Sequence, residues 1–150
     1  WNHDASLDWH LKYQHLHKGV MQNLKSLNKI FKSEPALYEL GFEEHGFEWI
    51  DIQDSANSAI SFVRKGSKEE DIILVTCNFT PVIRENYRVG VPAAGRWKEI
   101  FNSDEEAFSG SGIVNHHVIE TSPESQHGRS NSITLTLSPL GVSYLKYLGK

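Results

Sequence analysis

A chain of 150 residues, 39% of them hydrophobic and 23% charged, can build one self-sufficient core, which excludes a wholly disordered segment. Its 15 Lys and Arg against 19 Asp and Glu leave a formal net charge of -4, the wrong sign for a nucleic-acid binder. No apolar run approaches the roughly 18 residues of a membrane span, and the single cysteine, Cys77, excludes an internal disulfide framework and fits a reducing, cytoplasmic compartment.

The chain opens at Trp1 without an initiator Met, and its only Met is Met21, so a piece of a longer protein is expected. Trp1 and Trp9 flank Asn2, His3, Asp4 and Asp8 in a stretch with neither helical nor strand period. Flat rings beside hydrogen-bonding side chains can form a sugar platform, the ring meeting the C–H face of a pyranose and the polar groups its hydroxyls. The same rings would also serve to anchor the stretch to a core.

Leu16, Val20, Leu24, Leu27 and Phe31 follow at i, i+4, i+8, i+11 and i+15. At about 100° per residue they share roughly 80° of arc, with Lys18, Lys25, Lys29 and Lys32 almost opposite. The spacing predicts an amphipathic helix over about 16–31, packed along its apolar stripe. Gly19 weakens that helix by about 1 kcal/mol relative to Ala, so packing must hold it. Ser33-Glu34-Pro35 ends it, because Pro cannot continue the ladder and pushes its predecessor out of the α region. Pro35 to Leu40 then reads as one short helical turn closed by Gly41.

Beyond residue 41 the period changes to that of strands, expected at 47–52, 58–63, 72–79, 87–91, 97–101, 133–137 and 142–148. Turn residues separate them: Gly66-Ser67, Pro92 to Gly95, Gly110-Ser-Gly112 and Pro139-Leu-Gly141. The run 72–79 is almost continuously apolar, as in a central strand covered on both sides. Trp49 and Trp97 are expected in the core. Residues 102–132 read as the loosest stretch, with one weak strand at 114–120. These signals predict a mainly β protein, an antiparallel β-sandwich, preceded by one amphipathic helix. Two units are expected, 1–41 and 42–150.

Motif chemistry is sparse. His15 and His17 point about 200° apart on a helix, and His116 and His117 face opposite sides of a strand, so neither pair shares a metal ion. No Gly-x-Ser-x-Gly elbow is present, and Cys77 lies in an apolar strand that raises its thiol pKa. Gly110-Ser-Gly112 lacks the Lys of a phosphate loop, and the sequon Asn78-Phe-Thr80 falls in a buried strand. The neighbouring carboxylates Glu43-Glu44, Glu69-Glu70 and Glu105-Glu106 sit in turn-like segments. No catalytic residue, cofactor or metal is expected.

The segment Trp1-Asn-His-Asp-Ala-Ser-Leu-Asp-Trp9 is followed in order by Ser33-Glu-Pro-Ala-Leu37, Gly46-Phe-Glu-Trp-Ile50 and Val75-Thr-Cys-Asn-Phe-Thr-Pro81. Tyr87-Arg-Val-Gly-Val-Pro92, Gly95-Arg-Trp97, Ile133-Thr-Leu-Thr-Leu137 and Pro139-Leu-Gly141 complete the series. This combination resembles the C-terminal end of bacterial 1,4-α-glucan (glycogen) branching enzymes, in the α-amylase superfamily, through essentially the whole chain. The resemblance implies that Trp1–Trp9 is the loop after the eighth strand of a (β/α)8 barrel, that the helix is the eighth barrel helix, and that the rest is the all-β domain after it. Such enzymes cleave an α-1,4 link and transfer the chain to a 6-hydroxyl by retaining double displacement, with an Asp nucleophile, a Glu acid/base and a supporting Asp. None of those three positions is matched here. His3-Asp4 does not extend into a His-Asp-Glu motif, since Ala5-Ser6 follows.

The resemblance therefore implies a non-catalytic portion, inactive alone, that supports the missing barrel. Its Trp1, Asp8 and Trp9 would contact α-glucan. The orphan helix would dock elsewhere, fray or mediate self-association. The alternative is a free-standing carbohydrate-binding or interaction β-sandwich.

Overall fold

In the computed structural model, which describes residues 2–150, the change of period near residue 42 separates one long helix from eight strands among the described residues. The helix, α1, spans His15–Ser33 and follows a 3-10 turn at Trp9–Tyr13. It stops where the sequence dictates: the Glu34 N–H donates to Ile30 O at 2.9 Å, and Pro35 opens a new 3-10 turn, Pro35–Leu37.

The strands are β1 (Phe47–Asp51), β2 (Ala59–Lys65), β3 (Ile72–Asn78), β4 (Arg84–Val91), β5 (Arg96–Asn102), β6 (Ile119–Glu120), β7 (Asn131–Leu137) and β8 (Val142–Tyr147). All pairings are antiparallel, in a six-stranded sheet of order β1-β2-β3-β8-β5-β6 and a two-stranded sheet of β4 and β7. This is the expected antiparallel sandwich with one helix before it.

Alternation along β3 explains why every residue of that strand is buried. Ile72 and Leu74 point into the space between the sheets, with Val63, Val89, Val91, Trp97, Ile133, Leu135, Leu137 and Leu145. Ile73, Val75 and Cys77 point to the opposite, outer face, where Ala36 of the Pro35–Leu37 turn covers them. A continuous apolar run is the sequence mark of such two-sided burial. Burial also pushes the Cys77 thiol above its ordinary range, as expected for a core cysteine.

Three expectations need correction. Trp97 is fully buried, but Trp49 is 48% exposed. It lies on the outer face of β1, an edge strand, opposite Phe62 and against Phe47, beyond the reach of the covering turn. The stretch 102–132 is not loose, although its strand shrinks to Ile119–Glu120. Asp104 is buried and accepts from the Ser111 N–H (2.8 Å), the Ser111 hydroxyl (2.6 Å) and the Ile113 N–H (3.1 Å). The Asn115 side chain donates through Nδ2 to Thr136 O on β7, accepts the Thr136 N–H through Oδ1 and donates to Glu99 on β5. Finally, the apolar stripe of α1 is packed only toward its end, where Leu27 is half-buried and the Phe31 ring meets that of Tyr38 at 6.1 Å. Leu16, Val20 and Leu24 are 69%, 70% and 59% exposed.

Candidate functional site

The residues singled out as sugar-facing are Trp1, Asp8 and Trp9. Trp1 lies outside the described residues. Asp8 and Trp9 are both exposed, Trp9 at 65%, at the start of the Trp9–Tyr13 turn. Asp8 O accepts the Leu11 N–H (2.9 Å) and Leu11 O the Gln14 N–H (2.9 Å). Gln14 O in turn accepts the Lys18 N–H (2.8 Å). This hydrogen-bonded run joins the turn to α1 without a break. Leu7 and Tyr13, near Trp9 in the chain, are exposed as well, at 70% and 78%.

From this turn the exposed apolar surface continues down α1 through Leu16, Val20, Leu24 and Phe31. What holds α1 is a different flank, about 90° around the helix, through Gly19, Asn23, Ser26 and Ile30. Gly19 is its one buried residue and lies against the turn Glu106–Phe108; a Cβ there would overlap Phe108 O and the Ser109 hydroxyl. The Ser109 hydroxyl donates to His15 O at 3.3 Å. At the other end Lys146 Nζ reaches Glu34 Oε2 at 2.7 Å. The helix is thus held near its start through Gly19 and His15 and just past its end through Glu34, while Leu16, Val20 and Leu24 face away.

A second polar cluster lies at the β1–β2 connection, and the sequence did not mark it. Tyr87 donates its hydroxyl to Asp54 Oδ2 at 2.7 Å, and Asn57 donates to the same carboxylate through N and Nδ2. Burial opposes the Asp54 charge, but these bonds outweigh it and hold the carboxyl below its usual range. Burial and the Asp54 carboxylate push Tyr87 well above the ordinary tyrosine value. Nearby, His127 Nδ1 accepts the Gly90 N–H at 3.3 Å, and Nε2 lies 3.3 Å from Asp51 Oδ2. Arg129 pairs with Glu48, which also binds Lys65 at 2.6 Å. Each of these carboxylates has internal partners. They link β1 and the connection after it to β4 and to the segment before β7. No groups of three or more possible ligands stand together for a metal ion among the described residues. No described helix is long and apolar enough to cross a membrane.

Residues 49–147 match the family model of the alpha amylase, C-terminal all-beta domain. Among curated relatives, the chain is 48% identical over 149 residues to the 1,4-alpha-glucan branching enzyme of Aquifex aeolicus, covering 99% of this chain and 24% of that protein. It is 46% identical to the enzyme of the same name from Rhodospirillum rubrum and 47% identical to that from Rhodopirellula baltica, covering 97% of this chain and 20% of each relative. The chain spans a quarter or less of the length of these relatives.

Proposed function

Because the chain belongs to the family of alpha-amylase C-terminal all-β domains, we propose that it is the non-catalytic C-terminal part of a 1,4-α-glucan branching enzyme, and that α1 is the element joining it to the catalytic barrel. The enzyme's substrate is an α-glucan such as glycogen, in the cytoplasm. The β-sandwich supports the barrel, and Asp8 and Trp9, with Trp1, contact glucan at the rim of the catalytic face.

The observation that carries this reading is the exposed stripe of α1. Leu16, Val20, Leu24 and Phe31 would each contribute about 1.5–3 kcal/mol if buried, yet α1 is docked through another flank. A helix shared between two domains accounts for such a surface.

The full-length enzyme and this 150-residue chain should be assayed on amylose for new α-1,6 links. Branching is expected from the former and none from the latter. Activity in the 150-residue chain alone would overturn the assignment. Replacing Asp8 and Trp9 by Ala in the full-length enzyme should weaken glucan binding, and unchanged affinity would remove them from the contact surface.

A further inference from the structure

We propose that Gly19 is a positioning residue: it seats α1 against the Glu106–Ser109 turn and so fixes where the Asp8–Trp9 turn stands relative to the β-sandwich. This inference rests on the glucan-contact reading of Asp8 and Trp9.

The chain of contacts is continuous from the core to the turn. Phe101, buried on β5, lies 5.2 Å from the Tyr144 ring and 5.7 Å from the Phe108 ring. Asp104 ties the same loop down through Ser111 and Ile113, and the Gly112 N–H returns to Asp104 O at 2.8 Å. The Glu106–Phe108 turn is therefore a rigid seat. Ser109 takes a left-handed conformation (φ 68°), which aims its hydroxyl at His15 O in the first turn of α1. Gly19 lies one turn further on, where the helix backbone meets Phe108 O with no space for a side chain. From there the run Lys18 to Gln14, Gln14 to Leu11 and Leu11 to Asp8 carries the placement to the candidate contact residues.

A glycine inside a helix weakens it by about 1 kcal/mol, so only the close approach accounts for this one. Any side chain at residue 19 has to lift or roll the start of α1. The helix is the lever, and the turn that leads into it carries Asp8 and Trp9.

The test has two arms. In the 150-residue chain, spin labels at residues 10 and 120, both exposed, report the distance between the turn and β6. Gly19→Ala should shift or broaden that distance. Ser109→Ala, which removes the tie to His15 without adding bulk, should do so to a smaller degree. In the full-length enzyme, Gly19→Ala should raise the glucan KM roughly tenfold at unchanged kcat, the signature of lost ground-state binding. Adding Ser109→Gly should restore part of it, since the hydroxyl leaves while the Phe108 carbonyl remains. An unmoved label distance overturns the inference and leaves the proposed function standing. So does a parallel fall of kcat and stability with no KM change, which would mark a purely structural glycine. If Asp8→Ala and Trp9→Ala leave KM untouched, the glucan-contact reading fails and the inference falls with it.

Discussion

Tyr87 and Asp54 are 33 residues apart in the chain, and one 2.7 Å hydrogen bond makes their titrations interdependent. The carboxyl of Asp54 is held below its ordinary value of 3.8, so its contribution is complete at neutral pH and is lost as acid titrates the folded state. Tyr87, raised above 10, contributes in the opposite sense, and its share is lost only as pH climbs through its elevated value. Tyr87→Phe should lower unfolding free energy by about 1–2 kcal/mol at pH 7 and move the Asp54 midpoint upward, read by urea melts and a carboxylate NMR titration. The two strand tryptophans supply a second comparison. Trp97→Ala, which empties a fully buried site, should cost about 3–5 kcal/mol, against about 1–2 kcal/mol for Trp49→Ala at the sheet edge; thermal melts of the two variants decide. In the sequence both rings sit in alternating strands and look alike. Only the place of a strand within its sheet separates them, and no local pattern encodes that.

Helix α1 is legible in its length and period, and so is its end before Pro35. Which side docks is not. The flank of Gly19, Asn23 and Ser26 has no hydrophobic signature short of Ile30, because the hold comes from a close backbone approach, the Ser109 hydroxyl on His15 O and the Lys146–Glu34 ion pair. Periodicity alone marks the hydrophobic stripe as the packed face, whereas Leu16, Val20 and Leu24 are exposed and the helix docks through another flank, in keeping with an orphan helix that docks elsewhere. Val20→Lys and Leu24→Lys should therefore leave the unfolding of the 150-residue chain unchanged within about 0.5 kcal/mol, while the full-length enzyme should lose several degrees of melting temperature. Equal effects in both would mean that nothing covers the stripe. Among the strands, existence and rough bounds were readable from alternation. The tether over 102–132 was not, because Asp104 and Asn115 act through bonds to distant backbone that leave no periodic trace.

For the molecule as a whole, the exposed row from Trp9 to Phe31 should make it associate weakly as concentration rises. Sedimentation velocity should show a dimer that Val20→Lys removes, whereas a monomer at all concentrations would argue that the stripe is too curved or too diluted by lysine to self-pair. Fold class was within reach of the sequence, since short alternating strands without helices between them leave few architectures. Strand order was not, because pairing between β3 and β8 joins residues about seventy positions apart with no local mark.

That order has a consequence for biosynthesis. β8 follows every other strand in the sequence yet lies in the middle of the larger sheet, between β3 and β5. A nascent chain that has already extruded seven strands still holds two separate half-sheets, each with an unsatisfied edge and an exposed apolar face. The larger sheet is completed only when Val142–Tyr147 is available to pair, so a chain cut before residue 142 should keep both half-sheets open and aggregate.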